Sequence, residues 1–492
     1  MKRVFLLVLI GLAMLVTIII RLSASAADSS PAGSIGGENP NGTFPPVFSP
    51  DGMRVAYAAR KGDEWVAIVD GKEGAGYEDI KGFVFSPDGK RIAYTAMKQE
   101  TWQVVTDGQE GPKSDEINPP VFSADGKHLA YAAKSVGEWR VVVDGQDGPA
   151  FAGDILSPVF SPDSQHIAYA ERKEGEGWRV VVDGKEGPRY DDDIRAPAFS
   201  PDSKHVAYAG KSGGKWRAVV DENEGAAYED DIRSPIFSPD SQHVAYAGKS
   251  GGKWHAVVDG KEGPAYEDDI RSPIFSPDSQ RVAYAGKTGG KWHAVVDGKE
   301  GPAYKDDIHS PIFSSDGKRV AYAGKSGRQW RAVVDGQESV AYQDIQAPVF
   351  SPGGRHVAYA AQTGGRWRVV WDGRDGAKYQ EINSVIFSAA GDHLAYAARN
   401  NGRWRVVVDG QDGAEYDGVQ FLIFSPNGQH VAYAGKSGRN WRVVLDGEEG
   451  PEKYQDISPP TFTSDGQRVA YGVGTNGNWR MAVRQAGGGK WP

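Results

Sequence analysis

The sequence predicts an all-β protein made of twelve copies of one four-stranded unit, spanning residues 46–492. Phe recurs from Phe48 to Phe462, and Trp recurs from Trp65 to Trp479, in steps of 37 to 39 residues. Each step contains short runs of β-branched and aromatic residues separated by turn residues, with no helical periodicity. Four short strands in each unit, repeated without linkers, are the pattern of a β-propeller blade.

The chain begins with an export or anchor signal. A basic start at Lys2 and Arg3 precedes an uncharged apolar run at residues 4–20, and the ASA sequence at 24–26 has the form of a signal peptidase site. The run is slightly long for a cleaved signal and just long enough for a spanning helix. Residues 1–26 are therefore predicted to be a signal peptide or an N-terminal membrane anchor. Either alternative places the rest of the chain in the periplasm or outside the cell, anchored to the inner membrane by residues 4–20 in the second case.

Residues 27–45 are predicted to be a linker that also closes the fold. The segment is rich in Gly, Pro, Ser and Asn, as a tether is. The first repeat begins at the strand carrying Phe48, and the last repeat ends after its third strand, near Trp479. We expect a segment near residues 35–44 to supply the missing outer strand beside the last repeat, because this removes an open sheet edge.

The unit at residues 236–273 shows the four predicted strands in order. The first ends in Phe-Ser and is followed by a Pro-Asp-Ser or Pro-Asp-Gly turn. The second alternates as Val-Ala-Tyr-Ala, and the third reads Trp-His-Ala-Val-Val. Asp-Gly then predicts a two-residue hairpin because both positions favour positive φ. An Ala-Tyr-x-Asp-Asp-Ile stretch is the predicted fourth strand. The repeated Phe, Tyr and Trp are predicted to be core residues that pack against small Ala and Gly.

Twelve repeats can close as one ring or as two rings of six. Two six-bladed rings fit the usual range of 4–8 blades. However, the junction between repeats six and seven carries no extra loop, and residues 256–266 are identical to residues 294–304. We therefore favour a single twelve-bladed ring, with two six-bladed rings as the alternative.

The composition excludes several classes of function. The chain has no Cys, which rules out disulfides, thiolate metal sites and a Cys nucleophile. Its net charge of −9 argues against nucleic acid as the main partner. The Gly-Lys-Ser sequence at 248–250 lacks the upstream Gly and the helix of a phosphate loop, and the acidic clusters lack the spacing of a calcium loop. We expect no catalytic residue, no cofactor and no metal.

The repeat resembles a known family. Residues 48–57 (FSPDGMRVAY) and 85–94 (FSPDGKRIAY) are similar to the PD40, or TolB-like, repeat of the WD40-like β-propellers. The resemblance covers residues 46 to about 485 and implies a propeller fold. It implies little about function, because such repeats serve different binding roles. No peptidase domain follows the repeats, unlike in propeller proteins of the prolyl oligopeptidase type.

Two charged positions recur with the repeat. The residue before the second strand, such as His243, is Arg or His in all twelve repeats. The residue before the Ile of the predicted fourth strand, such as Asp269, is acidic in ten of eleven repeats, with Gly418 as the exception. We predict that these two positions form a charge-assisted pair that ties one blade to the next.

A third charged position follows the repeated Trp and is Arg or His in ten of twelve repeats, with Val66 and Gln103 as exceptions. Strand alternation places it on the opposite face from the Trp. Repetition would build a circle of cationic side chains, and this circle is the candidate binding annulus for an acidic polymer or protein. Its members are Arg140, Arg179, Arg217, His255, His293, Arg331, Arg368, Arg405, Arg442 and Arg480. The alternative is that these side chains are solvated or pair blades together.

These observations predict an exported, non-catalytic β-propeller that acts as a protein- or polymer-binding scaffold in the bacterial envelope. A single active site needs residues that break the symmetry of the repeats, and the twelve loops are nearly identical. Two alternatives remain open: an enzyme with its active site on one propeller face, and a structural spacer.

Overall fold

The computed structural model describes residues 46–51, 53–475 and 478–487, and in these ranges the chain forms antiparallel sheets joined by turns. Each repeat forms one sheet, numbered 1 to 12 here in chain order. Sheets 3 and 4 share the long strand Phe151–Phe160, which pairs with the third strand of sheet 3 at its start and then becomes the first strand of sheet 4. The predicted signal or anchor and the linker, residues 1–45, lie outside the described residues.

The first and second strands form one hairpin in every sheet. The first strands, in sheet order, are Val47–Phe48; Asp79–Phe85; Glu116–Ile117 with Val121–Phe122; Phe151–Phe160; Asp193–Ile194 with Ala198–Phe199; Asp231–Ile232 with Ile236–Phe237; Asp269–Ile270 with Ile274–Phe275; Asp307–Ile308 with Ile312–Phe313; Asp344–Ile345 with Val349–Phe350; Glu381–Phe387; Gly418–Phe424; and Asp456–Ile457 with Thr461–Phe462. The second strands are Val55–Lys61, Ile92–Lys98, Leu129–Ser135, Ile167–Lys173, Val206–Ser212, Val244–Ser250, Val282–Thr288, Val320–Ser326, Val357–Thr363, Leu394–Asn400, Val431–Ser437 and Arg468–Thr475.

The third strand pairs with the second, and a more exposed fourth strand follows it. The third strands are Glu64–Val69, Thr101–Thr106, Glu138–Val143, Gly177–Val182, Lys215–Val220, Lys253–Val258, Lys291–Val296, Gln329–Val334, Arg366–Trp371, Arg403–Val408, Asn440–Leu445 and Asn478–Gln485. The fourth strands of sheets 1 to 11 are Lys72–Tyr77, Gln109–Glu110, Gln146–Asp147, Lys185–Glu186, Asn223–Tyr228, Lys261–Tyr266, Lys299–Tyr304, Gln337–Glu338, Arg374–Asp375, Gln411–Asp412 and Glu448–Glu449.

Proline interrupts the first strand in most sheets, with sheet 4 as an exception. Where Pro precedes the Ile-Phe pair, as Pro273 does, the strand is split in two, because Pro has no N–H for the ladder. Sheets 2, 10 and 11 have no Pro at this point, and their first strands are continuous. In sheet 4 the register shifts around Pro158 instead.

The structure corrects the predicted fourth strand. The Asp-Gly hairpin is confirmed, with φ of 48° at Asp259 and 73° at Gly260. The fourth strand that follows is Lys261–Tyr266, whereas Asp269–Ile270 crosses over and pairs with the second strand of sheet 7. The Asp269 carboxylate accepts the backbone N–H of Ile270 at 2.8 Å. The crossing buries Ile270 completely between the two sheets, which contributes roughly 1.5–3 kcal/mol.

Neighbouring sheets pack face to face around aromatic residues, as predicted. Between sheets 6 and 7, Trp254 and Ala256 of one sheet contact Tyr266, Tyr284 and Ile270 in one buried cluster. A buried cluster that contains the second-strand Tyr recurs at each of the eleven consecutive interfaces. The repeated Tyr is buried, six of the twelve repeated Trp are buried and the other six half-buried, and the repeated Phe is mostly half-buried.

Sheet 12 packs against sheet 1 and closes a single ring. The Phe48 ring lies so close to Gly472 that a Cβ there would be 2.4 Å from it. The backbone N–H of Trp479 donates to the Tyr57 hydroxyl at 3.3 Å. A split into two rings would fall between sheets 6 and 7. These two sheets contact each other as their neighbours do; for example, the Asp240 N–H donates to the Ser279 hydroxyl at 2.9 Å. The favoured single twelve-bladed ring is the observed arrangement.

Candidate binding surface

The candidate annulus lies on the third strands, on the face opposite the buried Trp. Except for Arg480, its side chains are held by the fourth strand of their own sheet or, for Arg331, by the residue that follows that strand. Arg140 Nη1 is 2.9 Å from Asp147 Oδ2, and Arg217 Nε is 3.4 Å from Glu224 Oε2. Arg179, Arg368, Arg405 and Arg442 form equivalent ion pairs with Glu186, Asp375, Asp412 and Glu449.

The remaining members follow the same pattern with other acceptors. His255 Nδ1 lies 3.1 Å from the Gly263 carbonyl oxygen, and His293 Nδ1 lies 3.3 Å from that of Gly301. Arg331 donates to the Ser339 carbonyl at 3.1 Å. Arg480 pairs with Glu452 at 2.8 Å and is the most exposed member, at 64%. The ten side chains therefore occupy one equivalent position: seven Arg pair with an acid, whereas His255, His293 and Arg331 lie beside backbone carbonyls. Their role as a binding annulus stays a prediction.

The basic residue before each second strand does not pair with the acid that the sequence suggested. In sheets 1 to 11 its partner is the Asp of the hairpin between the third and fourth strands: His243 Nδ1 lies 2.7 Å from Asp259 Oδ2, and Arg281 Nε lies 2.9 Å from Asp297 Oδ2. The predicted pairing is wrong because the hairpin turn brings this Asp to the start of the second strand, where it also accepts the Val244 N–H at 3.0 Å.

At three consecutive junctions, the predicted acidic partner instead binds an Arg of the preceding sheet. Asp269 accepts from Arg233 at 3.2 Å, and Asp307 accepts from Arg271 at 3.0 Å. The Arg271 guanidinium also lies over the Trp292 ring, 5.1 Å from its centroid. At these three junctions the acid ties one sheet to the next, whereas Asp154 and Glu381 pair with Arg172 and Arg399 of their own sheets.

Two kinds of junction link the turns of neighbouring sheets. Where the basic residue is Arg, its guanidinium reaches a carbonyl in the next sheet, as Arg281 reaches that of Lys318 at 2.9 Å. His is too short for this contact. After the His of sheets 3 to 6, the next turn carries Ser in place of Gly, and the Ser hydroxyl accepts a backbone N–H, as Ser279 does from Asp240 at 2.9 Å.

The sequence carried a signal for these junctions. Every Pro-Asp-Ser turn, with Ser at 164, 203, 241 and 279, follows a repeat whose basic residue is His, and every Arg repeat is followed by Gly. At these four junctions, a repeat that carries His in place of Arg is therefore followed by a turn that carries Ser in place of Gly. The Ser hydroxyl supplies a contact between the sheets that His is too short to make.

In sheets 1 to 11, the turn after the first strand is fixed by a buried Ser. Ser86 Oγ donates to Asp88 Oδ1 at 2.6 Å and accepts the Arg91 N–H at 2.9 Å. The Ser86 hydroxyl and then the Lys90 backbone N–H lower the pKa of Asp88 to about 2. The same Ser–Asp contact lowers the pKa of Asp163 and Asp240. These carboxylates stay ionised at neutral pH as structural acceptors.

One cluster breaks the repeat symmetry, and the sequence analysis missed it. Glu171 stands where the second strands of other sheets carry an apolar residue or Gly, and its side chain is only 4% exposed. Burial raises the pKa of Glu171, whereas the Lys173 ammonium lowers the pKa of Glu186. Lys173 Nζ lies 3.2 Å from Glu171 Oε1 and also binds Glu186, which in turn pairs with Arg179.

This cluster replaces a contact found at other junctions. Elsewhere a fourth-strand Tyr donates to the acid of the next sheet, as Tyr228 does to Glu262 at 2.8 Å. Sheet 3 carries Phe151 at that position, so Glu186 receives Lys173 instead. A nearby cavity of about 450 Å³ is lined by Asp154, Arg172, Lys173, Arg189 and Asp191 among others, and neither Glu171 nor Glu186 lines it. The two carboxylates are structural groups bound within the sheet.

Across the described ranges, no group of three or more His, Asp or Glu side chains is placed to hold a metal ion. Over the same ranges no helix has the length and apolar character needed to cross a membrane.

The fold and the junctions define the chain as a β-propeller repeat protein. No protein-family model matches it, and no curated protein matches it. Among solved structures, it is similar to one described as a eukaryotic initiation factor, at 13% identity and a TM-score of 0.36, over 74% of this chain and 96% of that one. It is also similar to the β-propeller domain of the Trilobed protease from Pyrococcus furiosus, at 15% identity and a TM-score of 0.27, over 53% and 96% of the two chains.

Proposed function

We propose that this chain is an exported, non-catalytic scaffold that binds a protein or an extracellular polymer in the bacterial envelope, built from PD40- or TolB-like repeats. The observation that supports this proposal most is that most of the repeated basic side chains pair with an acidic side chain of the ring itself. At successive steps of the ring, the side chains with acid–base chemistry are paired for structure: the hairpin Asp with the basic residue, the third-strand Arg with the fourth-strand acid. What the ring offers to other molecules is a rigid frame on which the same third-strand cation recurs in ten of twelve repeats.

Export is tested by the mature N-terminus. The apolar run at residues 4–20 supports either cleavage after the ASA sequence at 24–26 or retention as an anchor. N-terminal sequencing of the purified protein distinguishes the two: a start at Ala27 indicates a cleaved signal, and an intact start with membrane fractionation indicates an anchor. A protease-protected protein in the cytoplasm contradicts the proposal.

Binding is tested by immobilising the protein and quantifying what it retains from envelope extract and from purified envelope polymers. The test of the annulus is a triple variant at its more exposed members, Arg140→Gln, Arg217→Gln and Arg480→Gln. The matched control removes three charges from exposed turn lysines, Lys90, Lys127 and Lys204, which are 77–81% exposed.

We expect the annulus variant to lose the retained ligand and the turn variant to keep it. Equal retention by both variants would show that the ring binds elsewhere. Turnover of a retained polymer, seen as released fragments, would favour the enzyme alternative.

A further inference from the structure

A row of side chains on the crossing segments connects successive sheets, and it is interrupted at sheet 8. Each of these side chains belongs to the residue after the crossing Ile, and in sheets 5 to 7 it is an Arg paired with the acid of the next sheet. In sheet 9 the residue is Gln346, which donates to the Ile382 carbonyl at 2.8 Å. In sheet 8 it is His309, and within the described residues its imidazole forms no hydrogen bond or ion pair with sheet 9. Sheet 8 therefore lacks a contact that its neighbours make at this position.

The His309 imidazole lies in a seat on the indole of Trp330. The two ring centroids are 4.6 Å apart, and the ring planes are inclined by 38°. The His309 backbone N–H donates to the Ala323 carbonyl at 2.7 Å, which holds the main chain at this point. The imidazole Nδ1 is buried and has no hydrogen-bond partner. A proton on Nδ1 would therefore be a buried donor without an acceptor, and such a group lowers the stability of the fold.

Charged groups of three sheets surround the imidazole and its indole. They are Arg271 of sheet 7, Asp307 and Lys325 of sheet 8, and Asp344 of sheet 9. Arg271 and Asp307 pair with each other at 3.0 Å, and Lys325 Nζ lies 5.5 Å from the centroid of the indole. Burial lowers the pKa of His309 most, Arg271 lowers it further, and the two carboxylates only partly oppose this. The folded protein therefore favours the neutral imidazole.

The Asp344 carboxylate lacks the partner that the equivalent acids of sheets 6 to 8 have. It accepts one backbone N–H at 2.9 Å and, within the described residues, forms no ion pair. An Arg is long enough to reach such a carboxylate while it stays over the Trp of its own sheet: Arg271 lies 5.1 Å from the Trp292 centroid and 3.0 Å from Asp307. The side chain of His309 is shorter and makes only the stacking contact.

We propose that protonation of His309 loosens the junction between sheets 8 and 9, which makes this junction an acid-sensitive point of the ring. The neutral imidazole keeps its stacking contact with Trp330. The imidazolium has no acceptor at Nδ1 in that seat, and it must leave the indole to bond to Asp344. Acid therefore removes a packing contact at one junction, where an Arg would keep both contacts at any pH.

His309 and His393 should respond to pH in opposite directions. Because the pKa of His309 is lowered below its usual 6.5, its contribution to stability is complete above pH 6.5 and is lost as the pH falls below that value. The hydrogen bond to Asp409 raises the pKa of His393, so its contribution is complete below pH 6.5 and is lost as the pH rises. A Gln at either position removes the titration, which makes His393→Gln the matched control for His309→Gln.

Urea unfolding of both variants and of the unmodified full chain, from about pH 5 to about pH 8, tests the proposal. Gln is the residue that sheet 9 carries at the position equivalent to His309. As the pH falls, we expect the urea midpoint of His309→Gln to rise relative to that of the unmodified chain, and the midpoint of His393→Gln to fall relative to it. A difference for His309→Gln that stays constant with pH, or that falls with it, would overturn the proposal.

A spectroscopic measurement on the unmodified sequence tests the stacking contact directly. The chain is labelled with 5-fluorotryptophan, and Trp330→Phe identifies the fluorine signal of Trp330. We expect this signal to shift with pH, with a midpoint below 6.5, and to stay constant in His309→Gln. A signal that does not titrate in the unmodified chain, or that titrates equally in His309→Gln, would also overturn the proposal. Neither measurement depends on export or on ligand binding, so failure here leaves the proposed function standing.

Discussion

The close approach of Tyr266 to Gly286 is the sharpest test of how the sheets pack. The Tyr266 ring of sheet 6 is fully buried against the second strand of sheet 7. A Cβ at Gly286 would lie 2.4 Å from two of its ring carbons. Since real contacts are never that short, Gly286→Ala must displace a side chain that is packed on all sides.

Overpacking of this kind costs about 1–3 kcal/mol of unfolding free energy. Urea unfolding followed by Trp fluorescence measures the cost. The matched control is Gly353→Ala, at a position with no atom within 4 Å and an ordinary φ. That change should be neutral or stabilise by about 0.4–1 kcal/mol, because it restricts the unfolded chain.

A double-mutant cycle identifies the cause. In a Tyr266→Ala background the ring is gone, so the added methyl of Gly286→Ala should cost close to nothing. If Gly286→Ala is neutral in the natural background, or costs as much without the Tyr266 ring as with it, then the steric argument for these interfaces is wrong.

Other predictions follow from the turns and junctions. His243→Ala should destabilise the ring by roughly 0.5–1 kcal/mol, since the pair with Asp259 is half exposed; lost ligand binding with unchanged urea unfolding would contradict its structural role. Asp88 has a folded pKa of about 2, below its usual 3.8, so it adds stability above pH 3.8 that is lost as the pH falls towards 2. Ser86→Ala should flatten that part of the acid unfolding curve, and an identical curve would show that the hydroxyl is not the cause. Tyr228→Phe should destabilise by about 1 kcal/mol by removing the bond to Glu262, measured by urea unfolding with Tyr131→Phe, which has no such acceptor bond, as control.

Local chemistry determined the units of this fold. The Asp-Gly hairpin between the third and fourth strands was predictable because only residues tolerant of positive φ fit a two-residue turn. The buried Tyr and Trp were predictable because large and small residues alternate along each strand. The ordered spacing of Phe and Trp gave the number of sheets without reference to any contact.

Local sequence patterns did not determine which acidic side chain pairs with which basic side chain. His243 has acids on both sides of it in sequence, and repetition alone suggested Asp269. The hairpin folds Asp259 back onto the start of the second strand, which makes it the partner. From the sequence, the annulus was likewise predicted to be a circle of cationic side chains. The sequence does not show that the fourth strand brings an acid beside Arg140 and its equivalents.

Ring closure depended on the tertiary structure. Repeats six and seven are nearly identical in sequence, which favoured one ring but left two rings open. The packing of Phe48 on Gly472 and the bond from Trp479 to Tyr57 join the two ends of the chain. Such contacts link residues more than 400 positions apart. The repeated sequence determines how each sheet packs on the next one. Whether the last sheet meets the first depends on how these arrangements add up over all twelve sheets, and only the folded ring shows that.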